Sequence, residues 1–397
     1  MGAERGNPAG VRGCEGMSVT ESFPRASIFS PDSRAAFGVV VEPTVANSHA
    51  STNRPAATVL AEKLVAALDS VLLGVGQANH LVVAAVLARG HVLVEDRPGV
   101  GKTLLAKTLS AAIGGTSARI QGSVDVLPAD ITGGLVLRNI GPSTTTGTTT
   151  GTTPETTQLS ATGSTNSQSG GATITNEDPF RFIPGPIFHN VVILDELNRI
   201  SPRAQAALLE AMEERHVTVD GQPQALPDPF IVVATQNHTS STGTYPLLQG
   251  QIDRFTVGIT LGLPSAAAET ALLLGTGGTN RLANLSTICS PGEVLGAQRA
   301  TAAVHLAPQI ASYIVAIAQV TRDRLGDGKG ASPRASLMIA AIARALAVMA
   351  GRDYVAPDDV QAALFPVLGM RLHGDTPEAD ARFRITSYLS EVPVPRP

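Results

Sequence analysis

A lysine and a hydroxyl follow a glycine turn in the run Pro98-Gly99-Val100-Gly101-Lys102-Thr103-Leu104. Two glycines let successive backbone N–H groups converge on one point, and the helix they open adds its positive end there. With the Lys102 ammonium and the Thr103 hydroxyl beside that point, the run suits a polyphosphate and the cation it carries. The strict phosphate-loop pattern has a further glycine where Asp96 stands. That position is expected to need an unusual backbone turn, which Asp tolerates better than most residues. Two carboxylates, Asp195 and Glu196, end the apolar run Val191-Val-Ile-Leu194. Asp195 could share Mg2+ with Thr103, and Glu196 could orient and deprotonate an attacking water.

These groups must be held by a sheet. The run His91–Val94 reads as a buried strand and Leu104–Ile113 as the helix after the glycine turn. Arg119–Gln121, Asn190–Leu194, Phe230–Ala234 and Thr256–Leu261 read as further strands. Helical stretches at Ser201–Arg215 and Gln249–Phe255 and a hairpin turning at Asp220-Gly221 lie between them. This alternation predicts a parallel sheet with helices on both faces. Two helices precede it, Ala57–Leu73 and Asn79–Ala88, parted by Gly74-Val75-Gly76-Gln77. After Pro264 the pattern is helical: Ala266–Leu274, Pro291–Val304, Pro308–Arg322, Ser332–Ala350 and Pro357–Leu368. The expected organisation is an α/β P-loop core at 57–264 and a small helical domain at 265–373. Residues 1–56 are expected to be disordered and 374–397 a weakly structured tail. A low-complexity Ser/Thr/Gly stretch, about 141–178, reads as an insertion at a hairpin tip.

Composition narrows the function classes. The 397 residues are 43% apolar but only 4% aromatic, without Trp, so the core must be Ala, Leu, Val and Ile, which favours layered α/β and helical packing. A net charge of −4 and no basic patch interleaved with aromatics argue against nucleic acid as a partner. Cys14 and Cys289 lie far apart in unlike contexts, which speaks for a reducing cytoplasm rather than a disulfide scaffold. No apolar run is long enough for a membrane span. His80, His91, His189, His216 and His238 show no metal-ligand spacing.

Longer motifs carry a resemblance. Phe182-Ile-Pro-Gly-Pro-Ile-Phe188, Leu194-Asp-Glu-Leu-Asn-Arg199, Gln205-Ala-Ala-Leu-Leu-Glu-Ala-Met-Glu-Glu-Arg215 and Val217-Thr-Val-Asp-Gly221 occur in that order. Ala234-Thr-Gln-Asn237, Gly243-Thr-Tyr-Pro246, Gln251-Ile-Asp-Arg-Phe255 and Gly330-Ala-Ser-Pro-Arg-Ala335 follow. Together, over roughly Val59 to Leu372, they resemble the MoxR family of AAA+ ATPases. The resemblance implies ATP and Mg2+ as ligands and gives further residues roles. Asn237 would be the sensor that positions water, and Arg254 the arginine finger that reaches a neighbouring subunit's ATP. Arg334 would be the second sensor, on a lid over the nucleotide, and Gly76-Gln77 would lie near the adenine. It also implies a homo-oligomer, a hexameric ring, acting like a chaperone on a partner such as a von Willebrand factor A domain protein. Arg199 is expected to contact nucleotide or a partner subunit, or to be a surface cap. Gln121 is expected to pack, or to meet Glu196 in a resting state. An ATP-gated scaffold without hydrolysis and a nucleic-acid translocase are the alternatives.

Overall fold

A computed structural model of the chain describes residues 55–97, 99–137, 180–236, 244–326, 330–372 and 378–395. The expected disorder before Pro55 and the Ser/Thr/Gly insertion lie outside those residues.

The chain opens with α1 (Ala56–Val71) and α2 (Gly76–Leu87), then β1 (Val92–Glu95), α3 (Lys102–Ala112) and β2 (Ser117–Gln121). A short α4 (Pro128–Thr132) leads into the antiparallel pair β3 (Gly133–Leu137) and β4 (Phe180–Pro184). Next come β5 (Val191–Asp195), α5 (Pro202–Glu214), the hairpin β6 (His216–Val219) and β7 (Gln222–Ala225), and β8 (Ile231–Gln236). The one-turn α6 (Gln249–Ile252) precedes β9 (Val257–Ile259). The remainder is helical: α7 (Ala266–Leu273), α8 (Gly278–Ala283), α9 (Pro291–Ala302), α10 (Pro308–Leu325), α11 (Pro333–Met349), α12 (Pro357–Leu372) and α13 (Glu378–Glu391).

Strands β2, β5, β8, β1 and β9 form, in that order, one sheet in which every pairing is parallel. The interior strands β5, β8 and β1 are near-continuous apolar runs because both faces are covered, whereas the edge strand β2 is mixed. The period of two divides them: Val92, Val94, Val191, Ile193, Ile231 and Val233 feed one apolar cluster. Leu93, Val192, Leu194, Val232 and Ala234 feed the other. The first cluster also takes Leu64 and Leu68 of α1, Leu105 of α3, Ile314 of α10, Ile339 of α11 and Leu364 of α12. The helical segment thus shares a continuous core with α1 and α3. The second takes Leu208, Leu209 and Met212 of α5.

The expected weakly structured tail is overturned by α13. Ala381, Ile385, Tyr388 and Val392 are all buried. Their spacing of four, three and four puts them on one helical face. Arg, Ser and Thr between them dilute that stripe in the sequence.

Candidate active site

The register brings the ends of four strands to one edge: Gln121 lies opposite Asp195, and Glu95 opposite Gln236. Ligands of parallel sheets gather at this carboxyl edge. Gly99 (φ 88°) and Gly101 (φ 101°) take left-handed angles, and Gly101 caps α3. A Cβ at Gly99 would meet none of the described residues within 4 Å. Lys102 is buried at the first position of α3 and donates from Nζ to the carbonyls of Asp96 (2.6 Å) and Gln236 (3.4 Å). Burial lowers its pKa, while the charges of Asp96, Glu196 and Asp195 oppose that shift. Val100 and Leu104 are half-buried against the first core cluster. Gly76 and Gln77 are exposed in the first turn of α2, and the adjoining Leu72 lies 3.8 Å from where a Gly101 Cβ would stand.

Asp96 departs from expectation. It is not among the described residues with positive φ, so no unusual turn is needed there. Its carboxylate is used instead: Oδ1 accepts from the Arg97 N–H (2.7 Å), and Oδ2 from Leu261 (2.9 Å) and Gly262 (2.7 Å). A glycine could make none of these bonds.

The two acids sit beside the lysine. Thr103 Oγ1 donates to the Asp195 carboxylate at 3.0 Å and 3.1 Å. Asp195 is buried and also accepts from Arg119 Nε at 2.6 Å. Nothing in the sequence singled out Arg119, a lone arginine on a strand of mixed character. Its Nη2 donates to Gln121 Oε1 (2.6 Å), which gives Gln121 a partner on its own strand. Glu196 has a left-handed φ of 58° and its N–H donates to Thr235 Oγ1 (3.0 Å), another residue the sequence reading missed. A non-glycine residue held there is strained, as in many working sites. Arg199 Nε lies 3.0 Å from Glu196 Oε2, so this arginine pairs with the second carboxylate. Gly122 is where it is because a Cβ would fall 2.1 Å from the Glu196 carbonyl. The sequence-predicted Pro98 and Asn237, and His238 beside it, lie outside the described residues.

Arg254 and Arg334 are not brought to this edge. Both meet Glu213 of α5: Arg254 Nε lies 3.3 Å from Oε2, and Arg334 Nη2 bonds Oε1. Glu213 belongs to the opposite end of the sheet. Its neighbour Met212 accepts, through its carbonyl, from Nε2 of His91, which precedes β1. From His91 to Asp96 the strand spans about 16 Å. The expectation of a lid arginine poised over the chain's own phosphate loop is therefore not met in this conformation. Arg371 of α12, its side chain 1% exposed, bonds Asp253 Oδ1 (2.8 Å) and the Phe255 carbonyl (2.7 Å), bracketing Arg254. Among the described residues no group of three or more His, Cys, Asp or Glu side chains could hold a metal, and no helix is long and apolar enough to cross a membrane.

Known proteins match this arrangement along most of its length. The model of the ATPase family associated with various cellular activities matches residues 91–151 and 166–257, and that of the AAA lid domain matches 328–387. The YeaC protein of Bacillus subtilis is 38% identical over 301 residues, covering 75% of this chain and 82% of that one. Chaperone MoxR1 of Mycobacterium tuberculosis is 35% identical over 320 residues, covering 78% of this chain and 75% of that one. A crystallised candidate ATPase from Cytophaga hutchinsonii superposes with a TM-score of 0.68 at 25% identity, covering 86% of this chain and 97% of that one.

Proposed function

Because this chain belongs to the MoxR-like family of AAA+ ATPases, we propose that it is a Mg2+-dependent ATP hydrolase acting as an oligomeric ring to remodel a partner protein. The observation that carries this reading is the meeting of Lys102, Thr103, Asp195 and Glu196 at one sheet edge, beside the left-handed glycine turn Gly99–Gly101.

The donor set fits Mg2+. The Thr103 hydroxyl and the Asp195 carboxylate are hard oxygen donors 3.0 Å apart. Such a pair leaves most of the cation's shell to water and phosphate. When bound, Mg2+ would neutralise charge on the phosphates. The glycine turn and α3 would cradle the β and γ phosphates, with Lys102 drawing on their oxygens. Gly76 and Gln77 would border the adenine. Glu196 would take the proton of the attacking water through the carboxylate that Arg199 here pairs at Oε2. Asn237 would orient that water, a role resting on sequence alone. Arg254 and Arg334 would act together on the triphosphate of an adjoining subunit, since their own loop is at the far edge. In this scheme 57–264 is the ATPase core and 265–373 the lid. The proposed setting is the cytoplasm. By resemblance the ring is a hexamer and the partner a von Willebrand factor A domain protein.

The Arg199–Glu196 pair also favours a second reading, an ATP-gated scaffold whose base stays masked. Turnover of wild type and Glu196→Gln, with and without single-stranded DNA, separates the readings. Hydrolysis by wild type and a loss of about 10²-fold or more in Glu196→Gln, with ATP still bound, is expected. Absence of turnover in concentrated wild type would favour the scaffold, and strong stimulation by DNA a translocase. Glu196→Gln, holding ATP, is also the form with which to capture the partner.

A further inference from the structure

We propose that Glu213 is a positioning residue that binds Arg254 and Arg334 into one unit, so that both guanidiniums reach the neighbouring subunit's triphosphate together. The proposal rests on the trans-acting reading of Arg254.

The two arginines come from separate parts of the fold, one from the turn before β9 and one from the first turn of α11. Like charges converge only with a counterion between them, and each oxygen of the Glu213 carboxylate serves one of them. The Arg254 pairing is incomplete. Its Nε–H is buried without a hydrogen-bond acceptor among the described residues, although Oε2 is 3.3 Å away, and its Nη1 donates to the Gly250 carbonyl at 2.8 Å. That N–H is thus not aimed at the carboxylate, and the contact with Glu213 is an ion pair without a hydrogen bond. Arg371 fixes the chain around Arg254 through Asp253 and Phe255, so the guanidinium is directed by the Gly250 carbonyl and the Glu213 carboxylate together.

Charge points to the same ligand. Three arginines, 254, 334 and 371, face two acids, Glu213 and Asp253. The surplus positive charge suits phosphate oxygens, onto which guanidiniums fork. The side chains of Glu213, Arg254 and Arg334 are 36%, 31% and 39% exposed. A phosphate from outside can therefore share or replace the carboxylate without a buried charge being uncovered.

The test uses full-length chains, Mg-ATP and mixed subunits. Glu213→Gln keeps shape and helix propensity but removes the charge. Its kcat should fall by up to about a hundredfold, the scale of a catalytic group misplaced by about 1 Å. Its KM should stay within about twofold, because its own phosphate loop is distant. Glu213→Asp, which keeps the charge, should retain much of the rate. Glu213→Gln mixed with Glu196→Gln should hydrolyse ATP faster than the two apart, since one supplies an intact acid edge and the other an intact arginine pair. Glu213→Gln mixed with Arg254→Ala should show no such gain. Wild-type kcat in Glu213→Gln would overturn the proposal. So would its failure to be rescued by Glu196→Gln when Arg254→Ala is rescued. If Arg254→Ala is not rescued either, the trans reading falls and the proposal with it.

Discussion

The two edges of the central sheet solve opposite electrostatic problems. At the carboxyl edge the acids already have arginines of their own chain: Arg119 lies on Asp195 and Arg199 on Glu196. At the amino edge arginines outnumber the acids, and Glu213 is divided between two of them. The carboxyl edge is built on the buried Lys102 and Asp195, at helix and strand ends, whereas Arg254 and Arg334 at the amino edge are part-exposed. The difference teaches that neither edge is a complete site. One holds what must not move, and the other holds charge that can be lent.

The largest expected effect comes from breaking the amino edge. Arg254→Ala should lose about 10³-fold or more in turnover, as loss of an arginine finger does, while ATP affinity changes by less than about twofold. Phosphate release and nucleotide titration would measure the two. Turnover near the wild-type rate would reduce that edge to a structural ion pair. Next is Asp96→Ala at the carboxyl edge. Three backbone N–H groups lose their acceptor, which should cost about 1–3 kcal/mol in denaturant unfolding, with Asp96→Asn recovering part. An unchanged midpoint would mean that water replaces the carboxylate fully.

The smallest effect is a pH dependence below the amino edge. His91 is fully enclosed, accepting at Nδ1 from Val232 N–H (3.0 Å) and donating from Nε2 to the Met212 carbonyl (3.2 Å). Burial, then the Arg215 charge, push its pKa down to about 3. Between that value and the ordinary value near 6.5 the unfolded chain binds more protons than the folded one. Stability therefore falls as pH drops below about 6.5, by up to about 2 kcal/mol at pH 5. His91→Gln should flatten this slope. An equal slope in both proteins would assign the dependence to other groups.

Much of the carboxyl edge was legible because its rules are local. Glycines before Lys102 and an apolar run before Asp195 are patterns of backbone conformation and period. The α/β alternation and its helical continuation followed from the same periods. What escaped was non-local. Arg119 and Thr235 matter because β2, β5 and β8 are adjacent, and strand order is not written in any one segment. Glu213 sits in a Glu-Glu-Arg run that reads as a solvated helix face; its significance depends on turns some 40 and 120 residues later. Asp96 reads in the sequence only as a substitute glycine, because two of its three hydrogen-bond partners, Leu261 and Gly262, lie more than 160 residues away.

Those partners have a mechanical consequence. Leu261 and Gly262 are where the chain leaves the sheet for α7, and both hang on the carboxylate of a residue three positions before Gly99. The loop that would receive phosphate and the root of the helical segment are coupled like two ends of a crank. While those bonds hold, a displacement of Asp96 at one end is delivered as traction at the other through two hydrogen bonds from backbone N–H groups.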